Sequence, residues 1–154
     1  MINDALELIP VNETDLDYLY NLQCIEGIRK FALDSNIPKY DDHIKWFNNK
    51  LKSDTTKIFK IVDNDIIIGV VRLDSLLDST ESIAEISLTI DPKYAGKGYA
   101  KRTINKIIKV TDLDAYHAVI HESNIASQKV FSANRFSYNS LYCPKFNLYI
   151  YRKG

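Results

Sequence analysis

The stretch DPKYAGKGYA, residues 91–100, decides the fold of this 154-residue chain. Apolar and polar side chains alternate over Ile83–Ile90 just before it, which is the pattern of a strand. Apolar residues recur at helical spacing after it, to about Thr111. The Asp-Pro pair ends the strand, and Gly96 and Gly98 permit a sharp turn ahead of the helix. The sequence therefore predicts a strand, a glycine turn and a helix in immediate succession.

The glycine turn has the composition of an anion site. Gly96, Gly98 and Ala100, at every second position, let the backbone approach a bulky ligand closely. The amides that open the helix have no intrahelical partner, and the helix dipole makes that end positive, so a pyrophosphate fits there. Four cations surround the turn, Lys93, Lys97, Lys101 and Arg102. A short glycine motif alone is weak, because ordinary surface turns and helix caps use the same residues.

Short strands and amphipathic helices make up the rest of the chain. Further strands are predicted over 6–10, 58–62, 66–73, 116–120, 136–140 and 146–152, with helices beginning at Thr14 and near Pro38 and a fourth helix over 124–133, after the one that follows the glycine turn. The predicted buried stripes are Ile44, Phe47 and Leu51 in the second helix and Ala100, Ile104, Ile107 and Ile108 in the third. This order predicts a mixed α/β (α+β) domain over 1–154, with a largely antiparallel sheet of about seven strands and about four helices.

Composition excludes several classes of function. Hydrophobic residues make up 45% and charged residues 26%, and 20 basic side chains balance 20 acidic ones, so no overall field attracts nucleic acid or acidic membranes. Cys24 and Cys143 show no metal-ligand spacing and are interpreted as free thiols, and no metal is expected. The segment 1–10 lacks the features of a signal peptide, and no apolar run is long enough to span a membrane. The cytoplasm is the expected location.

The glycine turn resembles the acyl-CoA signature of the GNAT superfamily of N-acetyltransferases. That signature is Arg or Gln, two residues, Gly, one residue, then Gly or Ala. Gly98 and Ala100 match its last two positions, and Gly96 matches a further glycine common in the family. Ala95 stands where Arg or Gln is usual, which removes one side chain but no backbone donor.

A second motif strengthens the resemblance. The run NIAS at 124–127, followed by Val130-Phe131 and by NRF at 134–136, resembles the family helix that lines the thiol end of CoA. The order of elements also agrees with the family over nearly the whole chain. The resemblance implies acetyl-CoA as cosubstrate, with a strand Ile86–Ile90 that splays at a bulge from 116–121 so that the pantetheine arm pairs with its free backbone. The implied cofactor contacts are Leu88, Ile90, Ala95, Gly96, Lys97, Gly98, Tyr99, Ala100, Lys101, Asn124, Ser127 and Phe131.

Acetyl transfer to an amine requires a base, and Glu85 is the first candidate because it lies on the polar side of the strand expected to carry the cofactor. Burial at that edge would raise its pKa. Glu122, with His121 beside it, is the second candidate. By resemblance, a backbone amide near Leu88 is expected to bind the developing oxyanion.

The general acid is a departure from the family. Many relatives carry a Tyr on the second motif helix that protonates the thiolate, whereas this chain has Phe131, which has no proton to give. Tyr138 and Tyr142 follow closely, and water is the alternative proton donor, since a thiol with a pKa near ~8.5 is a tolerable leaving group. No tyrosine is assigned as the acid.

The acceptor is the least determined feature. The stretch with Ile28–Phe31, Asn36 and 43–47 resembles GNAT enzymes that acetylate nucleotide-linked amino sugars in nonulosonic-acid pathways. On that interpretation Trp46 stacks on a base, and Arg29 or His43 meets a phosphate. The competing interpretation makes His43 a surface residue and places the aromatic residues at or near the core.

Three alternatives stay open. Protein N-termini and polyamines share the same chemistry, although a polyamine site would want more carboxylates than Glu13, Asp15, Asp17 and Glu26 clearly supply. The departures at Ala95 and Phe131 also allow a CoA-binding module without catalysis. The sequence leaves the oligomeric state open, a homodimer included.

Overall fold

The computed structural model describes residues 5–76 and 80–154, so the first four residues of the segment 1–10 lie outside it. Its elements are β1 (Leu6–Pro10), α1 (Leu16–Cys24), α2 (Tyr40–Lys52), β2 (Thr56–Asp63), β3 (Ile66–Leu76), β4 (Ile83–Ile90), α3 (Tyr99–Thr111), β5 (Ala115–His121), α4 (Ile125–Ala133), β6 (Ser137–Cys143) and β7 (Phe146–Arg152). The predicted fold class and order of elements are confirmed.

One seven-stranded sheet runs through the molecule in the order β1-β2-β3-β4-β5-β7-β6. Every neighbouring pair is antiparallel except β4 and β5, which are parallel and joined through α3. The predicted hairpin between β2 and β3 turns on Asn64 and Asp65, both with positive φ, as a two-residue hairpin turn requires.

The parallel strands separate after a short paired stretch. Residues Ile83 to Glu85 of β4 pair with Ala115 to His117 of β5, and no pairing follows along these strands. Meanwhile β4 stays paired to β3 up to Ile90 without a register shift. The predicted divergence of β4 from β5 is present, but it starts beyond His117 and needs no bulge in β4. A register shift does occur in the β2–β3 pairing, between Ile61 and Val62 of β2, where Ile68 of β3 is the extra residue.

The sheet is covered on both faces. On one face, α3 packs Thr103, Ile104 and Ile107 into the main core. The predicted buried stripe of this helix is therefore confirmed at Ile104 and Ile107. It is wrong at Ala100 and Ile108, which are only half-buried. On the other face, Phe47 of α2 packs with α1 and β2. The predicted stripe of α2 is shifted by one turn: His43 is buried, whereas Leu51 is exposed because α2 meets the sheet with its N-terminal half.

Candidate active site

The divergence of β4 and β5 opens a pocket of about 600 Å³, within the roughly 300–1,000 Å³ range of small-molecule sites. It is walled by α1, the loop 25–39 and α2 at one end and by the start of α4 at the other. Nine of the predicted site residues line it together: Arg29, His43, Trp46, Glu85, Leu88, His121, Asn124, Ser127 and Phe131. Ile90, the glycine turn with its flanks and Glu122 lie outside this lining.

The glycine turn has the conformation that its sequence predicts. Gly96 and Gly98 have φ of 77° and 81°, in the left-handed region that only glycine adopts at little cost, and a Cβ placed on either would meet no atom within 4 Å. Gly98 caps α3, and its carbonyl accepts the first helical bond, from Arg102. The first turn of α3 carries no acidic residue. Open backbone, unpaired amides and the positive helix end fit a pyrophosphate.

The start of α4 borders the opened strands. The Asn124 side-chain oxygen accepts a bond from the Ser127 amide at 3.2 Å, so Asn124 caps the helix as the sequence allows. Phe131, one to two turns further, is buried and packs edge-on against Phe136 with ring centres 4.9 Å apart. The backbone of β4 beyond Glu85 has no partner on the β5 side. This side of the pocket fits an extended amide-bearing arm that pairs with a strand.

Glu85 lines the pocket and belongs to a polar group that spans two strands. Asp74 of β3 is directly opposite it in the antiparallel register, which places both carboxylates on one face. Burial and the charge of Asp74 raise the pKa of Glu85, and the nearby Arg72 opposes that rise. The structure therefore gives Glu85 the raised pKa that the sequence analysis expects.

Both carboxylate oxygens of Asp74 accept hydrogen bonds from neighbouring side chains. One accepts from the Thr56 hydroxyl at 2.7 Å and from the Lys50 ammonium at 3.4 Å, and the other accepts from Arg72 Nε at 2.7 Å. Burial alone would raise the pKa of Asp74, but the bonds from Thr56 and Arg72 and the charges of Arg72 and Lys50 together lower it. Asp74 stays ionised beside Glu85. Sequence reasoning missed it, although alternating polar residues on β3 opposite Glu85 were the available signal.

The second candidate base is placed poorly for that role. Glu122 is exposed and outside the pocket lining. His121 lines the pocket between Phe31 and Phe146, but its Nδ1 accepts a bond from the Ser123 amide at 3.0 Å. A neutral His121 therefore carries its proton on Nε2 and presents a donor to the pocket, where a base needs a lone pair.

No tyrosine lines the pocket within the described ranges 5–76 and 80–154. Tyr138 and Tyr142 are 59% and 52% exposed on the edge strand β6, and Tyr138 packs on Tyr149 with ring centres 6.0 Å apart. Neither is placed to protonate a leaving group in the cleft.

The end of the pocket opposite α4 is aromatic and built mainly by α2 and the loop 25–39. His43 is buried, not a surface residue, and stacks on Trp46 with ring centres 5.6 Å apart. The guanidinium of Arg72 lies 5.6 Å from the Trp46 ring. The terminal nitrogens of Arg29 donate to the Gln23 side chain of α1 and to the Asp34 carbonyl of the loop, at 2.7 Å each.

Comparison with known proteins identifies the class. Residues 5–137 match the family described as acetyltransferase (GNAT) domain, and the chain belongs to that family. It is an acetyl-CoA-dependent N-acetyltransferase.

Particular relatives are distant in sequence and close in fold. Spermidine N(1)-acetyltransferase of Vibrio cholerae is 24% identical over 123 residues, covering 78% of this chain and 70% of the relative. The crystal structure of the V. cholerae spermidine N-acetyltransferase in complex with CoA and spermine has a TM-score of 0.84 at 18% identity, covering 96% of this chain and 94% of that one. RimL, a ribosomal L7/L12 alpha-N-protein acetyltransferase crystallised with CoA, has a TM-score of 0.80 at 15% identity, covering 99% and 96%.

Two features are absent from the residues that the structure describes. Across 5–76 and 80–154, no helix is long and apolar enough to cross a membrane. Within the same ranges, no three His, Cys, Asp or Glu side chains are grouped as metal ligands.

Proposed function

We propose that this N-acetyltransferase acetylates a primary amine of a polyamine, with residues 1–154 acting as one domain. The observation that carries the proposal is Glu85: a carboxylate of raised pKa lies in a cleft between a cofactor end and an aromatic acceptor end. The spermidine acetyltransferases among the similar proteins support the choice of acceptor.

The chemistry follows from the residues around the cleft. Bound acetyl-CoA supplies an acetyl thioester, whose carbonyl carbon bonds to the amine nitrogen while its bond to sulfur breaks. Glu85 takes the proton that the amine loses, directly or through water, and its raised pKa suits that task near neutral pH. The turn around Gly98 and the start of α4 hold the two ends of the cofactor. Water protonates the departing thiolate, since Phe131 cannot.

Carboxylates at the acceptor end favour a polycation. Asp34 and Asp42 line the pocket there, in addition to Glu85. The acidic residues weighed in the sequence lie elsewhere: Asp15 pairs with Lys60 at 2.9 Å, and Asp17 accepts a bond from the Tyr40 hydroxyl. None of the four carboxylates weighed in the sequence lines the pocket, and the sequence analysis did not consider Asp34 or Asp42.

A nucleotide-linked amino sugar, the acceptor expected from the sequence, finds little support. The terminal nitrogens of Arg29 already donate to Gln23 of α1 and to Asp34 of its own loop. Burial lowers the pKa of His43, so at neutral pH it brings no positive charge to a phosphate. The relatives described above are, by their names, spermidine acetyltransferases or an alpha-N-protein acetyltransferase.

The acceptor class is tested by competition among amines. We expect kcat/KM for spermidine to exceed that for an amino-sugar nucleotide and for a short peptide by about ten-fold or more, because only a polycation matches the carboxylates around the pocket. The assay follows thiol release from acetyl-CoA at equal acceptor concentrations. A peptide or sugar-nucleotide preference of that size would reject the polyamine, and no turnover with any amine would favour a CoA-binding module.

The charge of Asp74 gives a second prediction. Asp74→Asn removes the carboxylate that raises the pKa of Glu85 and leaves Arg72, which lowers it, without its partner. Because the base must be ionised, the acid limb of the kcat/KM profile should move to lower pH. Asp112→Asn is the matched control, since it removes one charge from an exposed ion pair with Lys153. An acid limb at the same pH in both variants would contradict the assignment of Asp74.

A further inference from the structure

His121, the last residue of β5, is a polar side chain of the pocket that the proposed chemistry leaves unused. Its ring packs against Phe31 and Phe146, whose ring centres lie 5.1 and 5.0 Å away, and both of these residues line the pocket as well. Its main-chain carbonyl accepts a hydrogen bond from the Asn124 amide at 2.9 Å, which ties it to the start of α4. The position of the imidazole is therefore fixed by contacts on several sides.

One ring nitrogen of His121 is occupied and the other is accessible. Nδ1 accepts a hydrogen bond from the Ser123 amide at 3.0 Å, so a neutral ring carries its proton on Nε2. Among the described residues, Nε2 has no hydrogen-bond partner, and it is not one of the fully buried polar atoms that lack one. Nε2 of His121 therefore keeps accessible surface, whereas Nε2 of His43 is completely covered. His121 offers an N–H to a ligand in the pocket.

The strand register places His121 beside the gap between β4 and β5. Glu85 pairs with His117, and the two strands separate beyond that pair. Four residues further along each strand, Thr89 and His121 lie at corresponding levels on either side of the gap, and both line the pocket. Alternation gives both side chains the sheet face of Glu85, while the other residues of β5 lie in the core on the opposite face. A cofactor arm that pairs with the free backbone of β4 would therefore pass next to His121.

The N–H of His121 requires a hydrogen-bond acceptor, and the cofactor supplies the acceptors in this cleft. The further nitrogens of a polyamine carry protons at neutral pH and donate hydrogen bonds themselves. A thioester offers two acceptors, the carbonyl oxygen and the sulfur, and both gain negative charge during acetyl transfer. The oxygen is expected at a main-chain amide of β4 near Leu88, whereas His121 lies on β5 and is tied to α4. The sulfur is the acceptor that remains for His121.

We infer that the Nε2–H of His121 donates a hydrogen bond to the sulfur of CoA and stabilises the thiolate that leaves during acetyl transfer. The inference rests on the proposed use of this cleft for acetyl transfer. As the carbon–sulfur bond breaks, its electron pair stays on sulfur, His121 keeps its proton, and water protonates the thiolate afterwards. A neutral imidazole can bind developing negative charge in this way without becoming an anion itself. Phe131 offers no such bond.

Two substitutions at His121 separate hydrogen bonding from packing. His121→Phe keeps an aromatic ring between Phe31 and Phe146 but removes the N–H, so kcat should fall by about ten-fold or more. His121→Gln loses the ring but keeps an amide N–H that can donate, so it should retain most of the rate. A role in packing alone predicts the reverse order, and a role as general base predicts that both variants fail. Either of those results would overturn the inference.

A binding measurement tests the same contact without any amine. Desulfo-CoA, which lacks the sulfur, is the matched ligand. At a pH above about 8.5, where a thiol is ionised, His121→Phe should weaken CoA binding by about ten-fold or more and leave desulfo-CoA binding unchanged. Isothermal titration calorimetry measures both affinities. Equal changes for the two ligands, or no change for CoA, would overturn the role of His121.

The tautomer of His121 is tested on the unaltered protein. With ¹⁵N-labelled histidine, Nε2 should have the shift of a protonated nitrogen and Nδ1 that of an unprotonated one, because Nδ1 accepts from the Ser123 amide. The Nε2 resonance should move more on addition of CoA than of desulfo-CoA, and the opposite tautomer would overturn the inference. If no amine is turned over, the proposed function fails, and the measurements with CoA and desulfo-CoA still decide the role of His121.

Discussion

Replacing Glu85 by glutamine should lower kcat by about 100-fold or more, because the amide keeps the shape of the side chain but cannot accept the proton of the amine. The acid limb of the pH–rate profile should disappear together with the carboxylate whose pKa burial and Asp74 raise. Affinity for CoA should change little, because Glu85 lies on the strand face that carries Asp74 and Arg72, away from the glycine turn. Steady-state kinetics and calorimetry with CoA measure the two effects separately.

The second candidate from the sequence supplies the matched control. Glu122→Gln makes the same chemical change at an exposed residue outside the pocket, so its turnover should stay close to that of the unaltered protein. Equal losses of kcat in Glu85→Gln and Glu122→Gln would indicate a structural effect of the substitution and not the loss of a general base. If Glu85→Gln kept both its rate and its acid limb, the proton would have to leave by another route, with water as the first choice since His121 presents a donor.

The elements nearest the cofactor were predictable because local rules determine them. Alternation over β4 places Ala84 and Ile86 in the core and Glu85 on the opposite face, as observed. Glycines before a helix require positive φ, and Gly96 and Gly98 have it. In these stretches periodicity and backbone preference agree, and no distant partner is needed to choose between alternatives.

The polar group around Glu85 depends on the register in which β3 and β4 pair, and this register could not be predicted from the sequence. Asp74 and Glu85 are eleven positions apart and meet only because β3 and β4 pair in one register. Thr56 and Lys50 reach Asp74 from β2 and α2. A one-residue slip in register would turn Asp74 toward the opposite face, so no local pattern fixes this contact.

The acceptor end was the hardest to predict for a related reason. His43 has the sequence context of an exposed helical residue, between Asp42 and Ile44, and its burial follows from how α1 and α2 pack on the sheet. The loop 25–39 has no periodicity, so the placement of Phe31 and Asp34 along the pocket depends on tertiary contacts such as those of Arg29. Side chains from α1, the loop 25–39 and α2 converge here, and their joint geometry decides which nitrogen or oxygen atoms face a ligand.

Replacing Gly98 by valine should weaken CoA binding by on the order of ten-fold or more. Gly98 has φ of 81°, and a β-branched residue in the left-handed region costs at least roughly 1–2 kcal/mol, so only a small fraction of the variant would keep the conformation that binds. In that fraction the branched side chain would also cover the amides that open α3. Isothermal titration calorimetry with CoA measures the loss, and kcat at saturating acetyl-CoA should fall less than affinity.

Gly27→Val separates the local effect from general backbone strain. Gly27 has φ of 82° and open space around its Cα, as Gly98 has, but it lies in the loop after α1 and not beside α3. Both variants should lose similar amounts of thermal stability, since the same conformational penalty applies to each, whereas only Gly98→Val should lose CoA affinity. Because the two substitutions match in residue type, φ and exposure, a difference in affinity is attributable to position alone. If Gly98→Val bound CoA with unchanged affinity, the glycine turn would not be part of the cofactor site. If Gly98→Val and Gly27→Val lost the same CoA affinity, the loss in Gly98→Val would be explained by general destabilisation.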